Sequence, residues 1–313
     1  MKYVFGVDIG GTTVKMGLFN DATELIEKWE IPTDKTDSGK KIIPDVCGSI
    51  KNKMGEKGIS EEDVAGVGAG APGAVDDKGM MPGGAVNLGW GPLNLKELME
   101  KELPGIKIVA ANDANVAAFG EMIAGGGKGY ENVVAVTLGT GVGGGIILGG
   151  KLLAGSTGAA GEIGHMKVDD EETEKCNCGH AGCLEQYASA TGIARLARKR
   201  LAKDDKASSL RSAETLDAKA VFDAVKEGDE VATEVAKEFG RYLGKGLATI
   251  ADVVNPEIFV IGGGVSKAGD VLLEFVEPEF VNTAFPPCKG AKFALAKLGN
   301  DAGIYGCAGM VLS

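Results

Sequence analysis

The chain has no G-x-x-x-x-G-K-[ST] run, no apolar segment long enough to cross a bilayer, no excess of basic charge and only two histidines. Each absence closes a class of function. Without the first, P-loop nucleotide hydrolysis is unsupported. The longest charge-free span, 133–150, holds seven glycines and reads as a hairpin rather than a membrane helix. MKYVFGVDIG lacks a separate apolar core and cleavage site, so no secretory signal is expected. Cytoplasmic residence is then the expectation, and it disfavours a structural disulfide. Lys and Arg number 33 against 44 Asp and Glu, a net charge of −11, which argues against nucleic acid or an anionic membrane as partner.

Glycine, by contrast, is abundant: 50 of 313 residues, against a usual share of about 7%. The glycines follow no collagen-like period and gather at the ends of apolar runs, as tight strand turns and close ligand approaches require. Backbone N–H groups at such turns bind anionic small ligands without net positive charge. The length suits two domains with their own cores.

YVFGVDIGG (3–11) reads as a buried strand and turn, continued by TVKMGLFN (13–20) and ELIEKWEI (24–31) as a meander. A looser helical pattern covers 38–58, and VAGVGAG (64–70) is another strand. A Gly- and Pro-rich loop, a short helix near 95–103, the strand IKIVAAND (106–113) and a helix over 114–125 follow. NVVAVTLGTGVGGGIILGG (132–150) then restarts the strand–turn–strand pattern. At an offset of 129, Val7-Asp8-Ile9-Gly10 falls on Val136-Thr137-Leu138-Gly139 and Thr12 on Gly141. Either two related lobes or the chance likeness of two glycine-rich hairpins accounts for that match. Residues 187–250 are mostly helical, EIFVIGGGVS (257–266) is a strand ending in a glycine turn at a helix start, and a helix near 302–311 closes the chain.

Several motifs bear on chemistry. Gly139, Gly141 and Gly144 fit G-x-G-x-x-G with Glu162 downstream, but a dinucleotide fingerprint needs a helix where Ile146-Ile147-Leu148 reads as a strand. In DIGGTTVK (8–15), a carboxylate beside Gly10 and Gly11 can approach a metal-bound phosphate, with Thr12 and Thr13 supplying hydroxyls and N–H groups; an ordinary hairpin turn is the plainer alternative. Asp113 ends a strand and could cap the next helix together with Asn112. Three of the six cysteines crowd into CNCGHAGCLE (176–185). A disulfide, a redox switch and a metal site all fit that crowding, and C-x-C-x₄-C is not the spacing of common zinc fingers.

Taken together, D-x-G-G-T (8–12), A-P-G (71–73), A-N-D (111–113), L-G-T-G-V-G-G-G (138–145) and G-E-I-G-H (161–165) resemble the ROK family of sugar kinases. C-N-C-G-x-x-G-C-L-E (176–185), I-G-G-G (261–264) and the terminal N-D-A-G-I-Y-G-C-A-G (300–309) extend the resemblance over essentially the whole chain. It implies an α/β, two-lobed actin-like ATPase (ribonuclease H-like) fold with nucleotide and sugar in the interlobe cleft. The N-terminal lobe would comprise 1–115, completed by the helix at 300–313. The C-terminal lobe would comprise 116–299, with a zinc-binding segment at 165–185. The first strand begins at residue 3, so the kinase branch of the family is expected rather than its repressors, which carry a DNA-binding segment ahead of the lobes.

By the same resemblance Asp113 is the catalytic base. Gly73, Asn87, Asn112, Asp113, Glu162, His165 and Glu185 contact the sugar, whose hydroxyls both donate and accept. Asp8, Gly10, Gly11, Thr12, Thr13, Thr140 and Gly141 serve the phosphates, and Gly263 and Gly264 the nucleotide. His165, Cys176, Cys178 and Cys183 form a closed Cys₃His set for structural zinc, leaving His180 as a surface residue and Cys47, Cys288 and Cys307 as buried or incidental thiols. The expected activity is ATP- and Mg²⁺-dependent phosphorylation of a hexose, foremost glucose to glucose 6-phosphate, by a homodimer or homotetramer. Fructose, mannose, allose and N-acetylmannosamine are the rival sugars. A non-enzymatic sugar sensor and an NAD-dependent oxidoreductase are the rival classes.

Overall fold

The computed structural model describes residues 2–313. Its first elements are β1 (Tyr3–Ile9), β2 (Thr13–Asn20), β3 (Leu25–Pro32), α1 (Ile42–Lys57), β4 (Val64–Ala71), α2 (Leu95–Glu102), β5 (Ile108–Asn112) and α3 (Asp113–Ala124). These strands form one sheet in the order β3-β2-β1-β4-β5. Strands β1 to β3 are an antiparallel meander, and β4 and β5 join it in parallel.

A second set follows: β6 (Val133–Leu138), β7 (Val142–Leu148), β8 (Lys151–Leu152), α4 (Ala190–Leu201), α5 (Ala218–Lys226), α6 (Glu230–Val254), β9 (Ile258–Gly262), α7 (Val271–Thr283) and β10 (Lys292–Leu295). Its sheet runs β8-β7-β6-β9-β10, with β9 parallel to both β6 and β10. The two sheets therefore share one strand order, and β1–β2 and β6–β7 are the segments that match at offset 129. Chance likeness of two hairpins does not account for that order; a repeated lobe does. The last helix, α8 (Ala302–Leu312), ends the chain.

The chain packs as two compact units. One holds the chain up to Gly129 with Gly145–Gly161 and Leu298–Ser313, and the other holds Tyr130–Gly144 and Glu162–Lys297. The division falls after Gly129 rather than at 115/116, because α3 packs along α8 and stays with the first unit. Among the described residues, no helix is long and apolar enough to cross a membrane.

Strand alternation sorts the core of the first unit. Phe5, Val7 and Ile9 point to one face, where Val46, Ile50 and Met99 of α1 and α2 join them. Val4 points to the other face and packs with Phe19, Ile304, Ala308 and Val311. β1 is thus covered on both sides, which explains why its sequence reads as a continuous apolar run. Helix starts follow the sequence: Asn94, Asn112, Ser189, Asp217 and Asp229 each accept a first-turn N–H on the side chain.

Candidate active site

In the first unit the parallel strands β1, β4 and β5 end side by side, so their carboxyl ends bring Asp8, Gly73 and Asn112-Asp113 to one edge. The Asn112 side chain ties that edge together. Its Nδ2 donates to Gly73 O (3.0 Å) and to Asp113 Oδ1 (3.0 Å), and its Oδ1 accepts from Ala114 N (2.9 Å) and Asn115 N (3.1 Å). The N-cap of α3 is therefore Asn112. Asp113 is the first helical residue, its Oδ1 accepting from Ala114 N at 2.8 Å. The N-cap position of this pair is Asn112, with Asp113 adding a second acceptor for Ala114 N.

The β1–β2 turn is closed by Gly10 N donating to Thr13 O (3.1 Å) and by Thr33, whose N donates to Thr12 O (3.0 Å) and whose hydroxyl donates to Gly10 O (2.7 Å). Thr12 stays exposed. Asn87 lies beside this turn: its Nδ2 is 3.8 Å from where a Cβ on Gly11 would stand. Burial, reinforced by the neighbouring Asp113 carboxylate, pushes Asp8 up to about 6 against the pull of Lys15. The like charge of Asp113 thus adds to burial in favouring the protonated form of Asp8.

The second unit places the 139–142 turn and the cysteine segment against Glu185. Cys176 Sγ donates to Glu185 Oε1 (3.3 Å), while Glu185 Oε2 accepts from Val142 N (3.2 Å). A Cβ on Gly141 would overlap that second oxygen, so glycine there leaves room for Glu185. The turn itself is fixed by Gly139 N donating to Gly141 O (3.0 Å) and the Thr191 hydroxyl donating to Thr140 O (2.8 Å). Glu162 and His165 are exposed at the two ends of a single turn whose Ile163 and Gly164 are buried.

The ligand atoms of His165, Cys176, Cys178 and Cys183 lie within 4.8 Å of one another. Cys178 Sγ and Cys183 Sγ are 3.6 Å apart, and Cys176 Sγ is 3.9 Å from His165 Nδ1. A tetrahedron with zinc–ligand bonds of usual length has edges of about 3.5–3.8 Å, so the donor set fits such an ion. Without a metal, burial pushes Cys183 up to about 12, whereas hydrogen bonds from His180 hold the exposed Cys178 down at about 6. His180 itself is exposed. None of the six cysteines is in a disulfide, and Cys47, Cys288 and Cys307 are buried.

Two features were not visible in sequence. Gly264, Ala190, Asp217, Phe222, Asp223 and Lys267 line a cavity of about 300 Å³. Phe222 reads as ordinary helix core, and only the meeting of α5 with the turn after β9 makes it a wall. Gly263 in that turn has φ +85°, and a Cβ there would stand 2.5 Å from Leu138 O, so the position demands glycine. The second feature holds the cysteine segment in place. The Tyr187 and Tyr242 hydroxyls both donate to Asp169 Oδ2 (2.8 and 2.9 Å), and Arg195 pairs with Glu172 and with Glu174 (2.7 Å). Scattered acidic residues and tyrosines carry no local signal for such a network.

Two α/β sheets of one strand order, each opening with a glycine turn and the first edged by paired carboxylates, define the actin-like ATPase fold of sugar kinases. The chain belongs to the ROK family, whose family model matches residues 4–313. It is 44% identical over 310 residues to a glucokinase of Halalkalibacterium halodurans, covering 97% of this chain and 93% of that one. It is 36% identical over 318 residues to a glucokinase of Streptomyces coelicolor, covering 98% and 97%. Among solved structures it is similar to a ROK family glucokinase from Streptomyces griseus in complex with glucose and AMPPNP, with a TM-score of 0.73, 35% identity and 98% of each chain covered.

Proposed function

We propose that this protein is an ATP-dependent glucose kinase that makes glucose 6-phosphate. The observation that carries the reading is the shared edge of Asp8 and Asp113, in a chain that matches glucokinases over nearly its whole length. In the reaction the sugar's 6-hydroxyl oxygen bonds to the γ-phosphorus, the bond from that phosphorus to the β-phosphate oxygen breaks, and ADP leaves. Asp113 takes the hydroxyl proton and orients the nucleophile, a contribution of about 10²–10⁴ in rate.

Glucose is assigned to Gly73, Asn87, Asn112, Glu162, His165 and Glu185, whose carboxylates, amides and imidazole suit hydroxyls that both donate and accept. Thr12, Thr13, Gly10, Gly11, Thr140 and Gly141 are assigned to the phosphates. Gly263, Gly264 and the cavity walled by Phe222 are assigned to the nucleoside. Asp8 is the residue that would hold Mg²⁺, which neutralises charge on the β- and γ-phosphates when bound. Zinc is the ion assigned to the Cys₃His set; with four protein ligands it leaves no open position for catalysis. A homodimer or homotetramer is the proposed assembly, read by light scattering.

The test is a coupled assay with glucose, fructose, mannose, allose and N-acetylmannosamine against ATP, ADP and polyphosphate. The expected result is the highest kcat/KM with glucose and ATP. Absence of turnover with every sugar would overturn the reading, and preference for another hexose would reassign the substrate.

A further inference from the structure

We propose that Gly303, at the start of α8, is a positioning residue for Asp8: its missing side chain leaves the space that the Asp8 carboxylate occupies. The inference rests on the reading that Asp8 serves the phosphate end of the reaction. The terminal N-D-A-G-I-Y-G-C-A-G (300–309) carries none of the ligand contacts assigned above, and the geometry gives it this task.

Alternation along β1 turns Val4, Gly6 and Asp8 toward α8. At position 303 a Cβ would stand 2.6 Å from both Asp8 Cγ and Asp8 Oδ2, and 3.0 Å from Asp8 Cβ. Gly306 and Gly309 of the same helix have other neighbours, both on α3: Val116 backbone for the first and the Ile123 side chain for the second. Of these three, only Gly303 faces a carboxylate.

The helix has little freedom to back away from an added methyl. Cβ atoms on Gly6 and Gly68 would overlap the carbonyl oxygens of Ile304 and Cys307, so backbone already meets backbone there. Cys307 Sγ donates to Val7 O (3.1 Å), Lys15 Nζ donates to Asn300 O (3.2 Å) and Lys28 pairs with Asp301 at 2.6 Å. Nine of the eleven residues of α8 are buried. A methyl at 303 therefore displaces the carboxylate rather than the helix, and a displaced carboxylate meets the cation on the nucleotide in the wrong place.

The experiment pairs Gly303→Ala with Asp8→Gly, which removes the three atoms nearest to the added methyl. In Gly303→Ala, half-saturation by Mg²⁺ and by ATP should rise about tenfold or more, on the scale of a misplacement near 1 Å, with the glucose KM unchanged. A merely structural glycine would lower the thermal midpoint without that split. Independently of any activity, the midpoint lost through Gly303→Ala should be largely absent when the same change is made in Asp8→Gly. If Gly303→Ala does not fold, recovery of folding in the double variant supports the proposal. An equal loss in both backgrounds, a double variant that also fails to fold, or unchanged Mg²⁺ and ATP dependence overturns it. A wild-type protein that phosphorylates no sugar would refute the kinase reading while leaving the thermal comparison intact.

Discussion

Replacing Asp113 by asparagine keeps the shape of the side chain and removes its capacity to take a proton. Oδ1 can still accept from Ala114 N, and the cap on α3 belongs to Asn112, so the fold should hold. Asp113→Asn is expected to lower kcat by about 10²–10⁴ with glucose affinity little changed, read by steady-state kinetics beside calorimetric titration. Asp8 gives a pH prediction. Its folded value of about 6 stands above its ordinary 3.8, raised by burial and then by Asp113. Between those values the folded chain binds more protons at Asp8 than the unfolded chain does. Stability from this group therefore falls as pH rises from about 4 to about 6 and stays lower above that. Asp8→Asn should flatten the slope of thermal midpoint against pH across that window and stand above wild type at pH 7, while ATP use is lost.

At the scale of elements, the segment from His165 to Glu185 has two fastenings. The cysteine cluster closes one end; the Tyr187–Tyr242–Asp169 and Arg195–Glu172 contacts hold the middle. Cys178→Ala should lose the metal, because three ligands remain where a closed tetrahedral site needs four. Hydrogen exchange should then quicken around Cys176–Cys183 more than around Asp169–Glu174. Because Glu185 touches both Cys176 and the 139–142 turn, the glucose KM should rise first and the ATP KM later. Metal analysis and exchange mass spectrometry check this, and a fully active protein without zinc would refute it. The cysteine spacing was legible in sequence, since three of six cysteines in eight residues are far from a random scatter. The second fastening was not, because Tyr242 reaches Asp169 only after α6 has packed.

For the molecule as a whole, the first unit is discontinuous: α8 returns from the end of the chain to cover Val4 and Phe19. Deleting 298–313 uncovers those side chains and removes Ile304, Ala308 and Val311 from their core. Each large apolar side chain so exposed costs about 1.5–3 kcal/mol, and a domain's whole margin is about 5–15 kcal/mol. The truncated chain should therefore lose the cooperative unfolding of its first unit. The fragment 1–129 should fold only when joined to 298–313, checked by circular dichroism and thermal melts.

What the sequence determined by itself is local or repetitive. Apolar runs ending in glycine marked β1, β4, β6 and β9, and the offset of 129 marked a repeated strand–turn–strand, whose shared sheet order only the structure showed. The crowding of cysteines marked a cluster. These follow from side-chain periodicity and spacing, which the chain carries wherever it is folded. Only the tertiary structure decided which glycines serve turns and which admit a neighbour. Gly303 against Asp8 and Gly141 against Glu185 are contacts between segments far apart in the chain, and no local pattern encodes which atom will fill the space a missing side chain leaves.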